Sequence, residues 1–567
     1  MAFTCPNCGG SLLYSIGDRA LKCEHCGSLT DVKTYRPPNV AEEVTSASPL
    51  SASGAVKREK GTFDTTVYVC RNCGAELLAP DESLVSFCSY CGGEQLLKSR
   101  IQDEYAPGFI VPFEKTKEQC KEAYRKLTAG KLYVPKELKD PAFLEKFRGV
   151  YIPYWLYQVR FTGRPVVTGV QKRRQGSTVT EKTFQVTAQL DGEYSGIPYD
   201  ASSYFDDTSA DEIMPFNRRH IQKFTPAYLA GFYADRPDVA AAVYEEDAAF
   251  NAGKTAFTDI SRSLSKKGMT LQQPADNEKL DQLGSYFTER TTNLFPVWFL
   301  TWRKKDRVAY AIMNGQSGRL TADLPVDLKK YALVTAGMAA VIFALLTLFL
   351  SMTARTAVMI CAVLALIAAG LFRREAEKIR NHENHVFDPG YFVHGRQVAM
   401  PEAMRNKIAG RGEWLRSRGK KKGKKKELSV NAISVLVVIL GVFGYPFLLA
   451  MITVVGDMQP AQALQMVTFL AFLFASIIAL RTRLALRYVK EKSLRYINLV
   501  SWLAIVASFL VAVNAPAEDA YYYICCALCA FGAAVTSFGL IRYYNLLATR
   551  PLPSFYDRTG GNDDAQK

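Results

Sequence analysis

Two copies of one cysteine cassette constrain this chain more than any other feature: Cys5-x2-Cys8-x14-Cys23-x2-Cys26 and Cys70-x2-Cys73-x14-Cys88-x2-Cys91. Each copy supplies four thiolates from two short knuckles, CPNCGG with CEHCGS and CRNCGA with CSYCGG, and small residues after each second cysteine let the turn close around a tetrahedral ion. The copies are offset by 65 residues and share a leucine pair, Leu12-Leu13 and Leu77-Leu78, so the match is a duplication of one unit. The expected ligands are Cys5, Cys8, Cys23 and Cys26 for one structural zinc ion and Cys70, Cys73, Cys88 and Cys91 for a second. Iron in a rubredoxin-like site is the alternative metal. A disulfide framework would need an oxidising compartment, and the start, Met1-Ala2-Phe3-Thr4-Cys5, has neither the charged nor the apolar region of a signal peptide.

The average composition conceals a split at about Lys330, between a mixed globular half and a half of long apolar runs separated by basic segments. Residues 31–62 are rich in Pro, Ser and Ala, without apolar periodicity, and predict a flexible linker between ribbons at 1–30 and 63–100. From 105 to 328 the pattern predicts a mixed α+β domain. Helical spacing covers Thr116–Leu127 and Asp211–Leu229, and strands are expected at Tyr151–Phe161, Pro165–Gln171, Thr183–Leu190, Pro296–Trp302 and Val308–Met313. Ile152-Pro153-Tyr154-Trp155 and Phe295-Pro296-Val297-Trp298 resemble each other, either as a duplicated half-domain or as two unrelated edge strands. Asn314-Gly315 and Ser317-Gly318 predict a hairpin turn that leads towards the membrane.

Six apolar segments are candidate spans: Tyr331–Leu350, Ala357–Phe372, Val430–Val455, Gln462–Leu480, Ile497–Val513 and Tyr521–Ile541. They predict a hairpin at 329–373, a basic loop at 374–428, a four-span bundle at 429–547 and a tail at 548–567. Of the formal net charge of +16, a surplus of nine falls in Arg373–Leu428, with sixteen Lys or Arg against seven Asp or Glu. By the positive-inside rule this loop, both termini and the ribbons face the cytoplasm. The expected fold class is therefore multidomain, with two small four-cysteine zinc ribbons, an α+β juxtamembrane cytosolic domain and an α-helical transmembrane domain of about six spans. Cys525, Cys526 and Cys529 are expected to be packing residues within the last span.

Catalytic patterns fail on inspection. Gly253-Lys254-Thr255 lacks the strand and glycine-rich loop of a phosphate cradle, since Ala248 stands where the first glycine should. Gly315-Gln316-Ser317-Gly318 is one residue short of a nucleophile elbow, and no Ser-His-Asp set assembles around His220. His382, His385 and His394 lie in the basic loop at a spacing that does not match a zinc protease. Lys420, Lys421, Lys422, Lys424, Lys425 and Lys426 precede an apolar segment and are the expected contacts to anionic membrane lipid, or else serve only to fix topology.

The tandem ribbons, YIPYWLY at 151–157, FPVWFLTW at 295–302 and AIMNGQSGRLTADLPVD at 311–327 resemble the bacterial, mainly Gram-positive, zinc-ribbon membrane proteins. Members are often labelled primosomal helicase-like or replication proteins, yet this chain carries no helicase motor motif. The resemblance implies association with SPFH (flotillin-like), TPM-domain or phage-shock-type proteins in membrane-stress responses. The expected function is a non-enzymatic membrane scaffold that recruits cytosolic or membrane proteins. Membrane-tethered nucleic-acid binding is the alternative, disfavoured by sparse basic residues in the cassettes (Arg19, Lys22, Arg71). A pore or lipid transporter is a third reading, although the candidate spans carry no ionisable group of the kind that ion-coupled carriers use.

Overall fold

The computed structural model describes residues 3–35, 62–79, 87–175, 178–272, 283, 285–349, 353–383, 494–514 and 516–551. The first cassette forms a three-stranded sheet of β1 (Leu12–Ser15), β2 (Ala20–Cys23) and β3 (Leu29–Thr30). It extends past residue 30, because Val32 is buried and the Tyr35 ring packs on Phe3. The second cassette carries β4 (Thr62–Cys70), β5 (Glu76–Ala79) and β6 (Leu96–Tyr105). Then come β7 (Phe109–Ile110), helix α1 (Lys117–Ala129), the single turn α2 (Pro141–Leu144), β8 (Arg148–Gly163), β9 (Val166–Gln175), β10 (Thr178–Thr187), β11 (Leu190–Asp200), α3 (Asp207–Ile213), β12 (Gln222–Lys223) and β13 (Tyr233–Asp235). The soluble part closes with α4 (Glu245–Lys266), β14 (Thr270–Gln272), β15 (Ser285–Lys304), β16 (Arg307–Asn314) and β17 (Leu320–Ala322).

One twelve-stranded sheet organises these elements. Its spine runs β12-β7-β15-β8-β13-β5-β4-β6, with β11 beside β8 and β16 beside β15. The long strands β8 and β15 pair antiparallel from Ser285↔Thr162 to Phe299↔Arg148. Their two Pro-containing segments therefore lie side by side in the interior of the sheet (Pro296↔Tyr151, Leu294↔Pro153) rather than on edges. Both faces of this centre are buried, and the side chains alternate between two cores with the period of two that a strand imposes. Leu294, Trp298, Leu300, Ala309, Ala311, Met313 and Tyr151 point to one core, which also holds Cys5, Leu12, Tyr14 and Leu21 of the first cassette. Phe295, Val297, Phe299, Tyr310, Ile312, Val150 and Ile152 point to the other, which holds Cys70, Cys73, Cys88, Tyr90 and Cys91. The two cysteine groups thus lie towards opposite faces of one sheet, the second carried by the sheet's own strands β4, β5 and β6. A smaller sheet, β10-β9-β14, covers α4 around a third core with Val159 and Phe161.

Helix α1 begins at a capping box in which Thr116 and Gln119 satisfy each other's backbone N–H, and it buries Cys120, Tyr124 and Thr128 at the spacing of one helical face. The helix expected over Asp211–Leu229 is not formed. That stretch holds only the end of α3, short 3-10 turns and β12, because Pro215 and Pro226 lack the N–H a continuous helix needs. Gly253-Lys254-Thr255 lies inside α4, a helix with no preceding glycine-rich loop.

Among the described residues four apolar helices follow, α5 (Leu328–Phe349), α6 (Ala354–Glu383), α7 (Leu494–Asn514) and α8 (Asp519–Leu547), and β18 (Arg550–Pro551) then joins β16. The expected transmembrane domain of about six spans is corrected by this structure. Among the described residues two helices are long and apolar enough to cross a membrane, α5 over Leu328–Leu345 and α8, beside a large sheet-rich domain. The apolar stretch of α6, Ile360–Phe372, is shorter. At 1.5 Å per residue it reaches roughly 20 Å, against the ~30 Å of hydrocarbon. Helix α7, which carries Arg495 and Asn498, packs on α6 and α8, where Ser501 Oγ donates to Gly532 O (2.8 Å) and Ala504 and Ile505 meet Ala365 and Cys529. Val430–Val455, Gln462–Leu480 and the lysine run at 420–426 lie outside the described residues.

The sheet domain is bound to both α5 and α8. Asn545 of α8 exchanges two hydrogen bonds with the backbone of Val326, just before α5 (2.7 and 2.8 Å), and Tyr331 meets Phe538 at 6.3 Å. The two helices are therefore antiparallel, with their polar ends at one level. Arg307 donates to Leu546 O (2.7 Å), one of the last carbonyls of α8 that a helix end leaves unpaired, and to Thr549 O (2.6 Å) just beyond the helix. Arg550 reaches Asp206 at 3.1 Å and Ser209 at 2.7 Å and lies over the Tyr310 ring.

Candidate metal centres

All four knuckles share one backbone design. The first cysteine's N–H donates to the carbonyl five residues on: Cys5 to Gly10 (2.7 Å), Cys23 to Ser28 (3.0 Å), Cys70 to Ala75 (2.9 Å) and Cys88 to Gly93 (2.8 Å). In return its carbonyl accepts from the N–H of Gly9, Gly27, Gly74 or Gly92 at 2.8–3.0 Å. Those four glycines have φ between 67° and 77°, the left-handed region that a Cβ disfavours, which is why each second cysteine is followed by glycine. The turn leaves both thiols of a knuckle on its inside.

In each cassette the four sulfurs lie within 4.8 Å of one another. Cys5–Cys26 is 3.7 Å, Cys8–Cys23 3.5 Å, Cys70–Cys91 3.5 Å and Cys73–Cys88 3.7 Å. A disulfide requires ~2.05 Å, and all eight cysteines are free. A tetrahedral ion with Zn–S bonds of ~2.3 Å sets its sulfurs ~3.8 Å apart, close to these separations. The donor chemistry agrees, because neighbouring thiols pull one another's proton affinities apart. Cys70 is held low, chiefly by the hydrogen bond with Cys73, while Cys73 and Cys88 are pushed up, chiefly by Cys70. Four thiolates so close in a buried site need a cation between them. Both groups fit a four-coordinate metal ion, with all four positions taken by protein sulfur.

The two centres differ in their surroundings. Cys70, Cys73, Cys88 and Cys91 are all fully buried, whereas Cys8 and Cys26 are exposed, together with Pro6, Asn7, Glu24 and His25. In the first centre Ser28 Oγ lies 3.2 Å from Cys5 Sγ and 3.1 Å from Cys26 Sγ. That hydroxyl is the main cause that draws the Cys5 thiol down to about 6 and lowers Cys26 as well.

The second centre is tied into the sheet by residues that the spacing analysis missed. Tyr204 donates to Cys73 O (3.3 Å), Thr301 to Ser89 O and Tyr310 to Tyr90 O (2.5 Å). Tyr90, between Cys88 and Cys91, donates its hydroxyl to Asp235 Oδ2 at 2.5 Å. Asp235 also accepts from Ser202 Oγ and from the N–H of Arg236 (3.0 Å). Burial, and then the neighbouring Asp238, push this carboxyl up to about 7. Tyr90 and Asp235 are 145 residues apart, and only the fold brings them together. A tyrosine inside a CxxC knuckle was the one available signal.

Among the other sequence candidates, His220 pairs with Glu114, and Gln316 donates to Asn217 O (3.0 Å), so the Gly315–Gly318 turn is a hydrogen-bonded hairpin corner. His382 falls in α6, and His385 and His394 lie outside the described residues. No family model matches the chain, and no solved structure matches it. Over 347 residues it is 25% identical to the uncharacterized protein YdjG of Bacillus subtilis (strain 168), a match that covers 60% of this chain and 94% of that protein.

Proposed function

We propose that this chain is a membrane-anchored, non-enzymatic scaffold of the tandem zinc-ribbon type, in which the first metal ribbon is displayed to recruit protein partners. The observation that carries this reading is the asymmetry of the two centres. One is built into the sheet, and the other presents Cys8, Cys26 and the knuckle residues Asn7 and His25 to solvent. Four cysteine donors leave no open coordination position, which supports structural zinc over catalytic metal. α5 and α8 bring their polar ends to the sheet domain, which supports a soluble body held at one membrane face. Reduced thiolates suit the cytoplasmic side of a cell membrane. Flotillin-like and TPM-domain proteins are the partners this reading names.

The test is co-purification from native membranes in mild detergent, with the intact chain compared with an Asn7→Asp/His25→Glu variant that keeps every metal ligand. Partners lost from the variant, while metal content and membrane retention stay unchanged, support the scaffold. A set of partners that is identical for both chains refutes it, and nuclease-sensitive capture would favour nucleic-acid tethering instead.

A further inference from the structure

The loop between α1 and α2 sits at the level where α5 leaves the sheet domain. Tyr133 O accepts from Asp327 N (2.7 Å), the residue whose carboxylate caps the first turn of α5 through Lys329 N (2.9 Å). Lys330 Nζ donates to Val134 O (2.8 Å), and the Tyr133 ring meets Tyr331 edge-on at 5.6 Å. Residues 131–136 are thus fastened to the first helical turn of an apolar helix whose outer surface includes Leu333 at 78% exposure and Phe343 at 70%.

The loop has two sides. Val134 and Leu138 are buried in the sheet's core, which fixes the segment, and Lys139 Nζ closes it by donating to Lys131 O (2.9 Å). Exposed on the segment are Lys131, Leu132 (62%) and Lys136, together with Glu137, Lys139 and Asp140. Lys329, on the adjoining helical turn, is exposed as well. An exposed leucine flanked by lysines, beside a tyrosine pair at the polar end of an apolar helix, has the chemistry of a headgroup-layer contact. The leucine reaches the acyl boundary, the tyrosines suit the interface, and the ammonium groups meet phosphate.

We infer that residues 130–140 form a lipid-binding edge of the sheet domain, with Leu132 inserted at the acyl boundary and Lys131, Lys136 and Lys329 bound to the headgroups of anionic phospholipid. This rests on α5 crossing the bilayer, as the proposed function holds. The site fixes how the sheet domain leans on the membrane.

The test uses the full chain in nanodiscs of phosphatidylcholine alone or of phosphatidylcholine with phosphatidylglycerol, read by hydrogen–deuterium exchange of the peptide covering 130–140. Anionic lipid should slow this exchange by about fivefold. Lys131→Glu/Lys136→Glu should abolish the difference between the lipids, and Leu132→Asp should speed exchange in both. Inorganic phosphate added to phosphatidylcholine discs should not reproduce the protection. Equal exchange in both lipids, with residues 328–349 still protected, overturns the inference and leaves the membrane reading intact. Rapid exchange of 328–349 in both lipids removes the two together.

Discussion

Replacing Asp235 by asparagine should flatten the pH dependence of the sheet domain's stability and raise its stability in mild alkali. Asp235 is 2% exposed and accepts hydrogen bonds from Tyr90, Ser202 and the Arg236 N–H. Its carboxyl holds a proton up to about pH 7 in the folded state, against an ordinary value of 3.8. Between those values the unfolded chain is ionised and the folded chain is not, so each rise in pH favours unfolding. The contribution is complete below pH 3.8 and lost as pH rises through about 7. The full gap, at 1.36 kcal/mol per pH unit, is about 4 kcal/mol, of which about 1.4 kcal/mol falls between pH 6 and 8.5. Asparagine keeps the shape and stays neutral, and its amide can donate to the Tyr90 and Ser202 hydroxyls once they rotate, at a cost of ~1 kcal/mol. The assay is thermal unfolding of the metal-loaded chain in nanodiscs at pH 6, 7 and 8.5, a range that leaves the thiolates metal-bound. The wild type should lose roughly 2–5 °C more than the variant across it. Parallel pH profiles for the two chains would refute the buried-proton argument.

Three further outcomes follow from the packing. A Cβ on Gly149 would come 2.5 Å from Phe232 Cδ1 and 3.1 Å from Phe113 Cζ, so Gly149→Ala should lower stability by roughly 1–3 kcal/mol, read from the denaturant midpoint. Arg550→Ala removes the partner of Asp206 and Ser209 at the end of α8, so hydrogen exchange at Arg307 and Val308, which pair with β18, should accelerate by about tenfold or more. Cys73→Ser should abolish folded protein, because all four thiols of that centre are buried in one face of the sheet, whereas Cys8→Ser, at an exposed thiol, should leave the sheet domain folded with about half the metal, as measured by elemental analysis and circular dichroism.

Local chemistry was readable from the chain. The cassettes announced both candidate metal centres because a knuckle needs two cysteines and a left-handed glycine within five residues. The strands around Tyr151–Phe161 and Val308–Met313 showed β-branched and aromatic density. What depends on distant pairing was not readable. Nothing in CSYCGG says that Tyr90 meets Asp235, and nothing near Arg550 says that two residues just after the apolar helix α8 become a strand beside Arg307. The Pro153 and Pro296 segments suggested edges because proline cannot complete a ladder, yet the sheet places them next to each other in its interior. Hydropathy erred on the helices for a related reason. An apolar run of thirteen residues such as Ile360–Phe372 serves helix packing in α6 as well as it would serve part of a span.

The claim that the second metal builds the domain while the first is displayed can be tested by timed metal release. The purified chain, loaded with two equivalents of zinc, is mixed with an excess chelator while pulsed amide exchange of β16 follows the core around Tyr310 and Ile312 that holds the second centre. Two phases should appear, one equivalent leaving early with the core signal unchanged and the second leaving only as the core unfolds. Release of both equivalents in a single phase, or loss of the core signal with the first, would contradict the account.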